Sequence, residues 1–165
     1  APVVARLPFP EDWRVLLILD STDLGVHGEE ERDAFARMAP APEAQVGEFC
    51  RRTLMQVLPA LAEKDLESFS EGIRVIQDGM GAYFAPYQGG AAFRSPRVSE
   101  ALAWLNRQGI KGTGQSSWGP TGFAFVTRID GESLLHEARE TFAGISGLSF
   151  DLVKGWNSGA SVTVE

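Results

Sequence analysis

The spacing of apolar residues changes several times along the chain, and each change predicts an element. WRVLLILD (Trp13 to Asp20) is apolar at consecutive positions and rich in branched residues. Such a run predicts a strand inside a sheet, covered on both faces for part of its length. Ser21 to Gly28 follows as a turn-rich loop. Glu29 to Met38 predicts a helix with three glutamates in its first turn, where the helix dipole favours them. APAPE (Ala39 to Glu43) ends it. Val46, Phe49, Cys50, Leu54, Val57, Leu58 and Leu61 then recur at helical spacing. So do Leu66, Phe69, Ile73, Ile76 and Met80, with Asp65 as N-cap. These are two long helices forming a hairpin.

Tyr83 to Phe93 reads as a Gly/Pro-rich loop with aromatic side chains. Ser95-Pro96 is an N-cap and first helical residue. Val98, Ala101, Leu102 and Leu105 are that helix's buried stripe, and Gly109 is its stop. A strand, a tight glycine-rich loop and the alternating strand GFAFVTR come next. Asp130-Gly131 opens a helix with Leu134, Leu135, Ala138 and Phe142 on one face. GLSFDLVK and ASVTVE are expected as two closing strands, joined by a hairpin turn at GWNSG (Gly155 to Gly159). Strands at both ends, separated by helices, predict an α+β fold. It is a mostly antiparallel sheet with helices packed on one face, in a single domain over residues 1–165.

Composition narrows the partners. The chain has 165 residues, 44% hydrophobic and 22% charged, enough for one domain with a real core. A net charge of −7 excludes a nucleic-acid backbone as partner, because such binders need a basic face. No apolar run is long enough to cross a bilayer, so no membrane partner is expected. The single cysteine, Cys50, fits a reducing cytoplasm and sits on a helical stripe as an inert core residue. The chain begins with Ala1 and not Met, which suggests a piece of a longer protein or a trimmed one.

The chemistry concentrates in GTGQSSWGPTGFAF, residues 112 to 125. Glycines supply positive φ and proline stiffens a turn, which accounts for Gly119, Pro120 and Gly122. Gln115, Ser116, Ser117 and Trp118 need a further reason. Small polar side chains beside bare backbone make a cradle for an anion or polar ligand. It is not a P-loop, since no Gly-Lys-Ser/Thr ending is present. A large indole at a glycine-rich tip is an unusual core residue, so Trp118 is expected at a binding surface or a domain interface.

KGTGQSSWGPTGFAF, from Lys111, resembles the signature of the β-ribofuranosylaminobenzene 5′-phosphate synthase family of the GHMP kinase superfamily. FPEDWRVLLIL, GVHGEEERDAF and NSGA (Asn157 to Ala160) agree with that resemblance, which covers essentially the whole chain. It implies a GHMP kinase C-terminal-domain-like sheet, a ferredoxin-like variant. It implies small-molecule substrates: phosphoribosyl pyrophosphate joined to 4-hydroxybenzoate or 4-aminobenzoate, with loss of CO2 and pyrophosphate, toward tetrahydromethanopterin. It implies Mg²⁺ at the pyrophosphate, mostly held by an N-terminal domain whose phosphate loop has no counterpart in this chain. True kinases of the superfamily carry a barer glycine loop here. Gln115 to Pro120 replace most of it, which favours synthase over kinase.

On this reading Gly114, Gln115, Ser116, Ser117, Trp118 and Gly119 are the substrate-binding candidates. His27 is the catalytic candidate, by its near-neutral pKa and its place in GVHGEEE. No catalytic residue is otherwise assigned, and no metal ligand. Asp20, at a strand end, divides between a site residue and a turn cap. Tyr83, Phe84, Tyr87 and Phe93 divide between an aromatic pocket and packing of their loop. Asn157 divides between its turn and a site contact. Without its other half the chain should have little activity and should expose an apolar patch, which would also suit a homodimer. A non-catalytic ligand-binding domain and half of a small-molecule kinase are the other readings.

Overall fold

A computed structural model describes residues 2–23, 25 and 27–163. Its strands are β1 (Trp13–Asp20), β2 (Thr113–Gln115), β3 (Gly122–Thr127) and β4 (Leu148–Val153). They form one sheet in the order β2-β3-β1-β4, with every neighbouring pair antiparallel. Leu16 lies opposite Ala124 and Leu152, and Ile18 opposite Gly122 and Phe150. Strand side chains alternate, so these even-numbered residues share one face. Trp13, Val15, Leu17, Phe123 and Phe125 share the other.

Two helices, α5 (Pro96–Arg107) and α6 (Arg128–Thr141), cover the even-numbered face. Val98, Ala101, Leu102 and Leu105 are all fully buried there, the stripe that their spacing predicts. The Ser95 hydroxyl accepts the Val98 N–H at 3.2 Å, and Gly109 ends the helix region with φ 85°. Helix α6 begins at Arg128, before the expected Asp130-Gly131, because the Thr127 hydroxyl caps it by accepting the Asp130 N–H. Gly122 is a packing glycine rather than a turn residue. A Cβ there would meet Val98 Cγ1 at 2.6 Å, so its absence lets α5 close onto β3.

The second face is covered toward β2 and β3 by α4 (Leu66–Phe84) and by the helices before it. The Phe69 ring sits 5.0 Å from both Trp13 and Phe125, and Phe9 joins them. Strand β1 is therefore covered on both faces at its Trp13 end, while Val15, Leu17 and Leu19 stay half-buried.

The expected stripe before α4 is out of phase. Helix α2 (Glu43–Arg52) continues through a π-helical turn, Thr53–Val57, into α3 (Leu58–Glu63). A π turn holds one extra residue and rotates the helix before it by about 100° relative to the helix after it. Val57 and Ala60 are buried, whereas Val46, Leu54 and Met55 are exposed. Cys50 is exposed with them and is not the core residue its spacing suggested.

The closing hairpin does not form. Residues 154–163 carry no strand; Val164 and Glu165 lie outside the described residues. Asn157 instead clips the tail to the N-terminal segment. Its Oδ1 accepts the Phe9 N–H at 2.8 Å, and its Nδ2 donates to the Phe9 carbonyl at 3.0 Å.

Candidate functional site: the β2–β3 turn

The turn is closed by its own backbone. The Ser116 N–H donates to the Thr121 carbonyl and the Gly119 N–H to the Ser116 carbonyl, each at 2.9 Å. Ser117 has φ 50°, a region few non-glycine residues enter, and Gly119 has φ 72°. A Cβ on Gly119 would also lie 2.7 Å from Gln115 Oε1, so two constraints meet at that glycine. The Gly119–Pro120 peptide is cis.

Gln115 explains the turn's shape. Its backbone N–H donates to Gln77 Oε1 at 3.0 Å. Its side-chain Oε1 accepts the Arg94 N–H at 2.6 Å, and its Nε2 donates to the Ser117 carbonyl at 3.0 Å. Gln88 Oε1 lies 3.4 Å from the same Nε2. Gln115 is 7% exposed and Gln88 4% exposed, so these amides are satisfied inside the protein, as buried polar groups must be. Gly114 lies in β2, where a Cβ would overlap the Gln77 amide. Ser116 and Ser117 are exposed.

Two further loops lock onto the turn. A Cβ on Gly25 would overlap the Gly119 carbonyl, which shows how tightly the loop after β1 packs there. Arg94 Nε donates to Asp23 Oδ2 at 3.0 Å. Asp20 accepts the Ser95 hydroxyl at 2.6 Å and both the N–H and hydroxyl of Thr22. Arg97 lies 3.3 Å from the same carboxylate. Burial alone would push the Asp20 carboxyl up. The Ser95 and Thr22 bonds and the Arg97 guanidinium outweigh it and hold the group below the ordinary aspartate range. Asp20 thus ties the end of β1 to the start of α5.

Trp118 corrects an expectation. It is 2% exposed and packs among Ala34, Met38, Phe84 and Tyr87, with the Phe84 ring 4.4 Å away. Helix α1 (Glu29–Arg37) folds back over it and makes it the centre of a small third core. Its Nε1–H has no hydrogen-bond partner among the described residues. Leaving such a donor unpaired costs about 1–3 kcal/mol, against the larger gain from burying the indole.

The other candidates separate. His27 is exposed on the loop after β1, with Nδ1 3.2 Å from the Gly25 carbonyl and no ionisable partner among the described residues. His136 pairs loosely with Glu140 on the surface of α6. Tyr83 lies in the last turn of α4 and not in the expected loop, and its hydroxyl donates to the Ala39 carbonyl, tying α4 to the segment after α1. Phe84 and Phe93 line a small cleft of about 70 Å³ beside the turn, with Gln77, Met80, Gln88 and Ser117. Gln77 and Gln88 were not singled out from the sequence. Gln77 interrupts the stripe Ile73, Ile76, Met80, and an amide on a buried stripe was the available signal.

A family model described as GHMP kinases C terminal matches residues 57–144. The chain belongs to this family. The GHMP domain is also 30% identical, over 79% of its length, to the β-ribofuranosylphenol 5′-phosphate synthase of Methanothermobacter thermautotrophicus. It covers 38% of that relative, and it spans less than two fifths of the length of each curated relative it matches. Among solved structures, homoserine kinase from Cytophaga hutchinsonii aligns with 91% of the chain, which covers 44% of it (TM-score 0.65, 16% identity). A structure of MDDEF in complex with MVAPP, AMPPCP and magnesium aligns with 88% of the chain, which covers 47% of it (TM-score 0.58, 21% identity). At these identities the structures establish the fold: the α+β, GHMP kinase C-terminal architecture expected from the sequence.

Proposed function

We propose that this GHMP domain is one half of a ribofuranosyl benzoate synthase. The whole protein would join phosphoribosyl pyrophosphate to 4-hydroxybenzoate or 4-aminobenzoate and release CO2 and pyrophosphate, in tetrahydromethanopterin biosynthesis in the cytoplasm. The observation that carries the reading is the β2–β3 turn. Gln115 holds it in one conformation beside an open cleft, and the relative of matching sequence is a synthase.

The site on this domain is one-sided. Its cleft residues are uncharged, so they suit contact with the edge of an aromatic acceptor better than a pyrophosphate. Holding that acceptor in a fixed pose lowers the barrier by positioning. The pyrophosphate and its Mg²⁺ fall to a second domain. Asp20 and Asp23, the carboxylates beside the turn, are already taken by Ser95, Thr22, Arg97 and Arg94. Among the described residues no group of three metal-ligating side chains comes together. These residues do not fit Mg²⁺, and no step here runs through it. Val46, Cys50, Leu54 and Met55 form an exposed apolar strip that suits contact with the second domain. A second copy of the chain is the competing occupant. No described helix is long and apolar enough to cross a membrane.

The test is synthase activity of the full gene product, given phosphoribosyl pyrophosphate, Mg²⁺ and each benzoate, with CO2 release as readout. Wild type should be active. Ser117→Ala and Trp118→Ala should lose roughly 10- to 100-fold in rate while staying folded, as a misplaced site does. No CO2 from wild type with either acid would remove the synthase reading and bring a non-catalytic ligand-binding role forward.

A further inference from the structure

Strands β1 and β4 are antiparallel neighbours, so the segment before β1 and the segment after β4 run off the same end of the sheet. Two contacts keep these segments side by side. The Asn157 amide accepts the Phe9 N–H and donates to the Phe9 carbonyl, serving both backbone groups as a neighbouring strand would. The Gly155 backbone lies so close to the Phe9 ring that a Cβ there would overlap it. Beyond this clip, residues 2–8 and 158–163 carry no secondary structure and make no hydrogen bond among the described residues. Their sequences are nevertheless those of strands. Val3 and Val4 are adjacent β-branched residues, and Ala160 and Val162 alternate with Ser161 and Thr163. Val162, Val3 and Val4 are also the most exposed large apolar side chains among the described residues. Clefts of about 600 Å³ and about 410 Å³ lie on either side of Phe9, one toward α3 and one toward the tail, so this domain leaves both sides of the segment open.

We propose that residues 3–6 and 160–163 form a two-stranded antiparallel ribbon that adds to a sheet of the second domain. Continuing the Phe9–Asn157 pairing outward sets Val4 opposite Val162. Val4, Ala160 and Val162 then share one face, and Val3, Ala5, Ser161 and Thr163 the other. A two-stranded ribbon alone is marginal in water, which is why the segments stay unpaired on this domain. A third strand supplied by the partner, with an apolar surface for Val4 and Val162, makes the ribbon stable. The inference rests on the synthase reading in one respect: that reading supplies the second domain, and the chain spans less than two fifths of each curated relative.

The experiment is amide hydrogen exchange on the full gene product and on this chain, and it needs no turnover. In this chain the amides of residues 3–6 and 160–163 should exchange at free-peptide rates. In the full protein both sets should exchange at least ~100-fold more slowly. Val162→Pro removes a ladder donor and should release both segments in the full protein, with β1 and β4 keeping their protection. Should Val162→Pro prevent the full protein from folding, Asn157→Ala removes only the clip. It should speed exchange in both segments at least ~10-fold and leave β1 and β4 unchanged.

Fast exchange of either segment in the full protein would overturn the proposal, as would protection that survives both variants. Protection already present in this chain alone would also overturn it, and would assign the ribbon to this domain or to a second copy. Protected segments in a full protein that releases no CO2 would remove only the synthase reading. An active synthase with both segments unprotected would remove only this inference.

Discussion

Two of the domain's three apolar cores differ in how they are built. The larger one joins α5 and α6 to the sheet, with Leu16, Ile18, Leu102 and Leu105 at full burial and apolar neighbours on every side. The smaller one is a single indole, Trp118, held by α1, by Phe84 and by Tyr87, with an unpaired N–H inside it. The first has many equivalent contacts. The second depends on one residue, and that residue belongs to the glycine-rich turn. The expectation is that stability is concentrated away from the site, and that the part shaping the site opens without unfolding the rest.

Substitution in the larger core should show the biggest effect. Leu102→Ala leaves a cavity among fully buried neighbours and should cost about 2–5 kcal/mol. Chemical denaturation should show one cooperative transition at a lower midpoint, with the slope unchanged. A loss under about 1 kcal/mol would mean that this core is softer than its packing indicates.

Ser95 joins the end of β1 to the start of α5, since its hydroxyl both caps α5 and donates to Asp20. Ser95→Ala should cost roughly 1–3 kcal/mol at pH 7 by leaving a buried carboxylate short of a donor. The pH dependence has a definite sign. Asp20 titrates below the ordinary aspartate value in the folded state. Its contribution is therefore present at neutral pH and is lost as pH falls below about 4, through the lowered folded value. The gap between wild type and Ser95→Ala should narrow over that range. A gap that is constant from pH 7 to pH 2 would assign the whole effect to the cap and none to Asp20.

The larger core was readable because its signals are local: a Ser-Pro start, a 3.6-residue stripe and a glycine stop at α5. The smaller one was not. Nothing near Trp118 in the chain announces that α1 and the end of α4 return to enclose it, so a local reading put the indole at a surface. The stripe from Val46 to Leu61 failed for a different reason. The spacing is helical throughout, but the π turn at Thr53–Val57 adds one residue of rotation, and Gln45, Phe49 and Gln56 face α4 in place of Val46 and Leu54. The tail failed because Asn157 finds a partner in Phe9, far away in sequence. Of the candidate site, the turn was legible from its composition. The amides behind it were not, because Gln77 and Gln88 reach Gln115 only in three dimensions.

Trp118→Ala separates the two cores directly. A tryptophan lost from a central core costs about 3–5 kcal/mol. Here the loss should be capped by the free energy of releasing α1, and global stability should fall by only roughly 1–2 kcal/mol. Amide hydrogen exchange in α1 should become fast while α5 keeps its protection. Equal loss of protection in both helices would show that the small core is integral to the large one.

Glu48 sets the lower end of the scale. Arg51 and Arg52 both bond its carboxylate, at 2.7–2.9 Å, and hold its pKa at about 2. Short distances and a lowered pKa look like stability. The carboxylate is partly open to solvent, however, so water and salt screen the attraction, and ordering two long arginine side chains opposes it. Glu48→Gln should leave the denaturation midpoint unchanged at physiological salt. Any difference should appear only at low ionic strength, and it should vanish as pH falls from about 4 through 2, where wild type loses the same charge. A clear destabilisation at physiological salt would mean that the Glu48–Arg52 pair anchors the outer helix. The exposed strip of Val46, Leu54 and Met55 would then be held rigid for its partner before that partner arrives.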